Sequence, residues 1–152
     1  MSLMTMDVPH AMPFSAAMHS YFAVSDYEKV ALTGLEECPF TEYAADPTPH
    51  AEDPLIPVGH IDRIYCPVSE NADITLHDPG WKRSIRISRA GSGSGVVWNP
   101  GAKLAADMAD LGAGEQQHFL CVETTVVPEE NITLRYGDTH ELTMRIQVIP
   151  ID

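Results

Sequence analysis

Apolar and polar residues alternate along most of the chain, and that alternation predicts strands rather than helices. The runs at 17–24, 30–35, 60–66, 73–77, 84–89, 95–99, 118–125, 131–136 and 139–148 either alternate or form short apolar blocks bounded by turn residues. Many short strands separated by turns read as an all-β domain, an antiparallel sandwich or barrel. Tyr136-Gly137-Asp138 divides two such runs and predicts a hairpin between 131–136 and 139–148. Asp78-Pro79-Gly80 marks a second turn. One stretch breaks the period. Residues 102–111 are rich in Ala, Leu, Asp and Met, follow Pro100-Gly101 and stop at Gly112, which predicts one short helix.

Proline changes the picture between 36 and 58. Pro39, Pro47, Pro49, Pro54 and Pro57 stand there among six acidic residues, a composition that predicts a long surface loop without a strand ladder. The Gly- and Ser-rich stretch 89–95 is expected to be a turn between two strands. It is no phosphate loop, because neither a Lys-Ser/Thr pair nor a helix follows. Met1-Ser2-Leu3, with Met4 and Met6, looks like a leader, so 1–11 is set aside as a disordered start and 12–150 is read as one domain.

Charge then narrows the function classes. Twenty-two Asp and Glu face nine Lys and Arg, a net charge of −13 over 152 residues. Such a field argues against nucleic acid and against an anionic membrane surface as partners. Arg83, Arg86 and Arg89 form the one basic cluster and are read as a solvated strand face. Cys38, Cys66 and Cys121 lack metal-type spacing, and no secretory signal is visible, so reduced thiols in a cytoplasmic protein are expected. Seven histidines occur with no HxH or HExxH spacing, so no metal site is expected.

Three residues stand out as candidates for chemistry. His19 sits in Ala17-Met18-His19-Ser20-Tyr21-Phe22, one titratable group among small and aromatic neighbours; it is either a core-edge histidine or a general acid. Glu123 interrupts the apolar strand Phe119-Leu120-Cys121-Val122-Glu123-Thr124-Thr125. If buried, its pKa rises and it becomes a usable base near neutral pH; if its face meets water, it is a harmless surface charge. Asp62, beside Arg63 but on the opposite strand face, either holds a ligand hydroxyl or is one of two surface charges.

In order, Val96-Val97-Trp98-Asn99-Pro100, Met108-Ala109-Asp110 and Phe119-Leu120-Cys121-Val122-Glu123, preceded by Ala17-Met18-His19-Ser20-Tyr21-Phe22 and His60-Ile61-Asp62-Arg63-Ile64-Tyr65, carry a resemblance. The chain resembles the aldose 1-epimerase (mutarotase) superfamily, in its hexose-phosphate mutarotase or glucose-6-phosphate 1-epimerase branch, from about 12 to 148. The resemblance covers the C-terminal half of a family domain. The N-terminal half, with its further histidine and its phosphate-binding arginines, has no counterpart, and Gly101 stands where the family has a large aromatic residue. The resemblance implies part of a galactose-mutarotase-like supersandwich and an isomerase that needs no cofactor. It makes Glu123 the base at the anomeric hydroxyl and His19 the acid at the ring oxygen. Asp62, Trp98 and Asn99 are then sugar-binding residues for a hexose or hexose phosphate. A sugar-binding or regulatory module of the same fold is the alternative. Half a sandwich leaves a face open, so self-association into a homo-oligomer is expected.

Overall fold

The computed structural model describes residues 2–5, 10–69 and 71–151. The strands are β1 (Ser2–Thr5), β2 (Met12–Pro13), β3 (Ala16–Met18), β4 (Tyr21–Ala23), β5 (Ala31–Thr33), β6 (Phe40–Glu42), β7 (Ala51–Glu52) and β8 (Leu55–Ile56). They continue with β9 (Ile61–Tyr65), β10 (Ile74–Asp78), β11 (Arg83–Ala90), β12 (Ser94–Asn99), β13 (Phe119–Val126), β14 (Thr133–Leu134) and β15 (His140–Pro150). One helix, α1 (Gly101–Ala105), lies between β12 and β13. No helix among the described residues is long and apolar enough to cross a membrane.

Two antiparallel sheets form the expected β-sandwich. One runs β1-β15-β11-β10-β5-β8-β7; the other runs β3-β13-β12-β9-β6, with β4 also on β13. Period-two burial fixes which side of each strand faces inward. Ile61 and Tyr65 of β9, Val97 of β12 and Leu120 and Val122 of β13 are buried in one cluster with Leu32, Ile74, Leu76, Ile85, Ile87 and Leu142 of the other sheet. The opposite face of the six-stranded sheet remains free to carry a site.

Several predicted elements come out differently. The run at 17–24 is interrupted at His19 and Ser20 into β3 and β4, yet both stay in register on β13, Met18 opposite Thr124 and Tyr21 opposite Cys121. The stretch 36–58 is not strand-free. Its prolines flank rather than interrupt three short strands, and β6 pairs as an edge strand on β9, where a missing N–H on a neighbouring proline costs nothing.

The helix is only Gly101–Ala105, followed by three-residue turns through Leu111, because so short a segment without a side-chain cap does not propagate. The hairpin at Gly137 is also corrected. Its turn forms, with Asp138 N–H donating to the Arg135 carbonyl at 2.9 Å. But β14 pairs with β2, whereas β15 pairs along β11 from Arg83–Pro150 to Ala90–Thr143. The long ladder with β11, which buries Ile85 and Ile87, outweighs the local turn.

At the start of the chain, Ser2–Thr5 is not disordered but pairs with 140–143 of β15, whose second edge would otherwise lack a partner there. Residues 6–9 lie outside the described residues. The three arginines do not share a solvated face. Arg86 is exposed near Asp73, whereas Arg89 is buried and donates to the carbonyls of Ser94 at 2.8 Å and Ser69 at 3.1 Å.

Candidate functional site

The register that carries β3 and β4 along β13 sets His19 opposite Glu123, and facing residues of an antiparallel pair point to the same side. The two side chains meet, with Nε2 of His19 3.3 Å from Oε1 of Glu123. Their exposures differ: the His19 side chain is 47% exposed and that of Glu123 6%. On the other side of β13, Glu123 lies opposite Val96 of β12 and Cys121 opposite Trp98. Trp98 in turn lies opposite Asp62 of β9. Alternation along four neighbouring strands therefore brings His19, Glu123, Trp98 and Asp62 to one face.

Aromatic rings wall this face. His19 stacks on Tyr21 with centroids 4.8 Å apart and meets the Trp98 ring edge-on at 5.8 Å. Trp98 and Phe119 stack at 6.1 Å. Beside them Tyr21, Trp98, Phe119, Met108 and Asp110 border a hollow of about 330 Å³. Rings over a polar pair suit the flat apolar face and polar rim of a sugar.

Electrostatics favour a working base. Burial, and then the nearby Asp62 carboxylate, push the Glu123 pKa up from 4.5 to about 7. Burial also raises Asp62, with the Glu42 carboxylate adding to it. Cys121, buried beside Glu123, is held strongly towards its neutral thiol. The three cysteines are free, and among the described residues no cluster of His, Cys, Asp and Glu could hold a metal ion.

Asp62 is fixed from behind. Its N–H donates to Oε1 of Glu42 at 3.1 Å, and Oε2 of Glu42 takes a 2.8 Å bond from Nε of Arg63. Arg63, on the opposite face, also binds Glu52 through two further bonds of 2.8 and 3.0 Å.

Asn99 departs from the expected set. It lies fully buried on the inner side of the sheet. Its Nδ2 donates to the carbonyls of Gln116 and Phe119 at 2.8 Å each, and its Oδ1 accepts from Gly101 N–H at 2.8 Å. With its polar atoms taken by backbone, it anchors the α1 loop and is not among the residues on the site face. Sequence reading had not singled out Tyr21 and Phe119, although alternation with His19 and with Glu123 puts them on the same face.

With this geometry in place, the chain can be set beside known proteins. The family model for aldose 1-epimerase matches residues 4–147. A provisionally named glucose-6-phosphate 1-epimerase of Cenchrus ciliaris is 31% identical over 142 residues, covering 91% of this chain and 42% of that protein. A like-named protein of Haemophilus influenzae is 29% identical over 109 residues, with 72% and 38% covered. Among solved structures, a provisionally named mutarotase (YeaD) from Salmonella typhimurium superposes with a TM-score of 0.79 at 23% identity, over 98% of this chain and 50% of that one. The chain thus spans about half the length of the relatives it matches.

Proposed function

The chain belongs to the aldose 1-epimerase family, and from that premise we propose that its carboxylate–imidazole pair interconverts the α and β anomers of a hexose or hexose phosphate. The contact between Glu123 and His19 carries the reading. Ring opening needs a base at the anomeric hydroxyl and an acid at the ring oxygen, and both oxygens are bonded to one carbon. Two side chains standing together can therefore serve both.

The Glu123 carboxylate takes the proton of the anomeric hydroxyl. The freed electron pair forms the carbonyl C1=O1, the C1–O5 bond breaks, and the His19 imidazolium gives its proton to O5. Rotation about C1–C2 presents the other carbonyl face, and the reverse steps close the ring on the opposite anomer. Protons balance over the cycle, so the residues return to their starting forms. A base with a pKa of about 7 is matched to this work, since about half of it is ionised at neutral pH and it holds a proton well enough to take one. Asp62 accepts a hydrogen bond from a ring hydroxyl and Trp98 packs on the sugar face.

The hexose-phosphate substrate comes from the names of the relatives, and the proposed cytoplasmic setting rests on the free cysteines. Self-association would cover the exposed end of β15. Leu142, Met144, Ile146 and Val148 share one face of β15; the first two are buried, but Ile146 is 50% and Val148 55% exposed. Among the described residues no strand pairs with 144–150 on the β1 side, so a second copy fits this edge.

Exchange NMR on glucose and glucose 6-phosphate tests the assignment. Glu123→Gln should slow anomer exchange roughly 10²-fold or more. Equal rates in the two proteins would remove Glu123 from the mechanism, and sugar binding without faster exchange in the unmodified chain would make it a binding module.

A further inference from the structure

The two members of the acid–base pair are held unequally. Glu123 stands within β13 with its side chain 6% exposed, so strand and packing fix it. His19 falls between β3 and β4, outside both strands, with its side chain 47% exposed. Among the described residues its Nε2 meets Glu123, and its Nδ1 makes no hydrogen bond. A histidine that moves protons is commonly oriented by a third group bonded to its second ring nitrogen. No such group among the described residues serves His19, so another contact sets the plane of its ring.

That contact is aromatic. Tyr21 lies against the imidazole with centroids 4.8 Å apart and planes only 20° from parallel, while Trp98 meets it edge-on at 72°. A stacked neighbour fixes the plane of a ring, and an edge contact beside it limits sliding. Tyr21 is itself well placed. It opens β4, pairs with Cys121 of β13, and its ring meets Phe119 at 5.3 Å and Trp98 at 6.4 Å. Cys121 is two residues from Glu123, so one strand places the base directly and the acid through Tyr21. Burial, and then Cys121, Glu123 and Asp110, push the Tyr21 hydroxyl above the usual phenol range, so a neutral ring meets His19. At 59% exposed, that ring contributes little to the core.

We propose that Tyr21 is a positioning residue for the general acid: its ring, not its hydroxyl, holds the His19 imidazole in the plane that keeps it beside Glu123. The proposal rests on the anomer-exchange reading, in which His19 gives its proton to the ring oxygen. An imidazole freed to turn spends less time aligned for that transfer. Because the proton moves only in the reacting complex, the loss falls on kcat and spares KM.

Exchange NMR over a range of glucose concentrations, on the parent chain, Tyr21→Leu and Tyr21→Phe, reads the kinetic effect. Tyr21→Leu should lower kcat about tenfold or more with KM within about twofold, and Tyr21→Phe, which keeps the ring, should recover kcat to within about threefold of the parent. The ring protons of His19 give a second readout that needs no sugar. The Tyr21 ring current should move them upfield of their positions in the unfolded chain, a shift that Tyr21→Phe keeps and Tyr21→Leu loses. An undiminished kcat in Tyr21→Leu, a loss confined to KM, a Tyr21→Phe as slow as Tyr21→Leu, or His19 ring protons at unfolded-chain positions in the parent overturns the proposal. The two readings fail separately. A parent chain that exchanges no anomers yet shows the upfield shift sinks the epimerase reading, whereas anomer exchange without the shift sinks the positioning role alone.

Discussion

Glu123 shows how much one residue's surroundings decide. In water its carboxyl would be ionised well below neutral pH; here burial and the Asp62 charge lift it to about 7. In the proposed mechanism its ionised form is the base, so anomer exchange should rise with pH to a midpoint near 7. Asp62→Asn removes the second cause of the shift and should move that midpoint down, as read by rate–pH profiles or by carboxyl NMR titration; an unmoved midpoint would leave burial as the whole cause. The same shift has a stability sign. Between 4.5 and about 7 the folded chain binds this proton more tightly than the unfolded chain. Stability therefore falls as pH rises through that window. Urea denaturation at the two ends of the window should show a loss that Glu123→Gln lacks.

At the scale of elements, the proline-rich stretch matters because one arginine ties it down. Arg63 is 5% exposed and binds Glu42 of β6 and Glu52 of β7. Glu42 in turn holds the Asp62 N–H, so the clamp fixes both the loop and a site strand. Arg63→Ala should cost roughly 2–3 kcal/mol in urea denaturation, under the ~3–5 kcal/mol of a fully buried pair because Glu52 is half-exposed. Asn99→Ala strips three bonds from the α1 loop and should cost a similar amount, roughly 2–3 kcal/mol. The strand periodicity of β9, β10 and β12 was legible in sequence, because each buries alternate residues. The pairing of β14 with β2 was not, since two-residue strands carry no period.

For the molecule as a whole, the apolar face of β15 runs past the end of the sheet that covers it. Ile85 lies opposite Val148, and Ile87 opposite Ile146. A second copy seated there would bury the stripe, and light scattering after size exclusion should report a dimer or larger at micromolar concentration. Ile146→Lys with Val148→Lys should return it to a monomer that keeps its strand signal in circular dichroism. A monomeric parent chain would remove the self-association proposal.

Sequence by itself determined the all-β class and the faces of the long strands, because alternation is a local property. It singled out His19, Glu123, Asp62 and Trp98, which the strand register brings to one face. Only the tertiary structure decided that Asn99 turns inward to anchor a loop, that Arg89 is buried, that the turn at Gly137 joins two different sheets, and that burial raises Glu123. Each of these depends on what packs against a residue from a distant part of the chain, and no spacing along one strand encodes that neighbour.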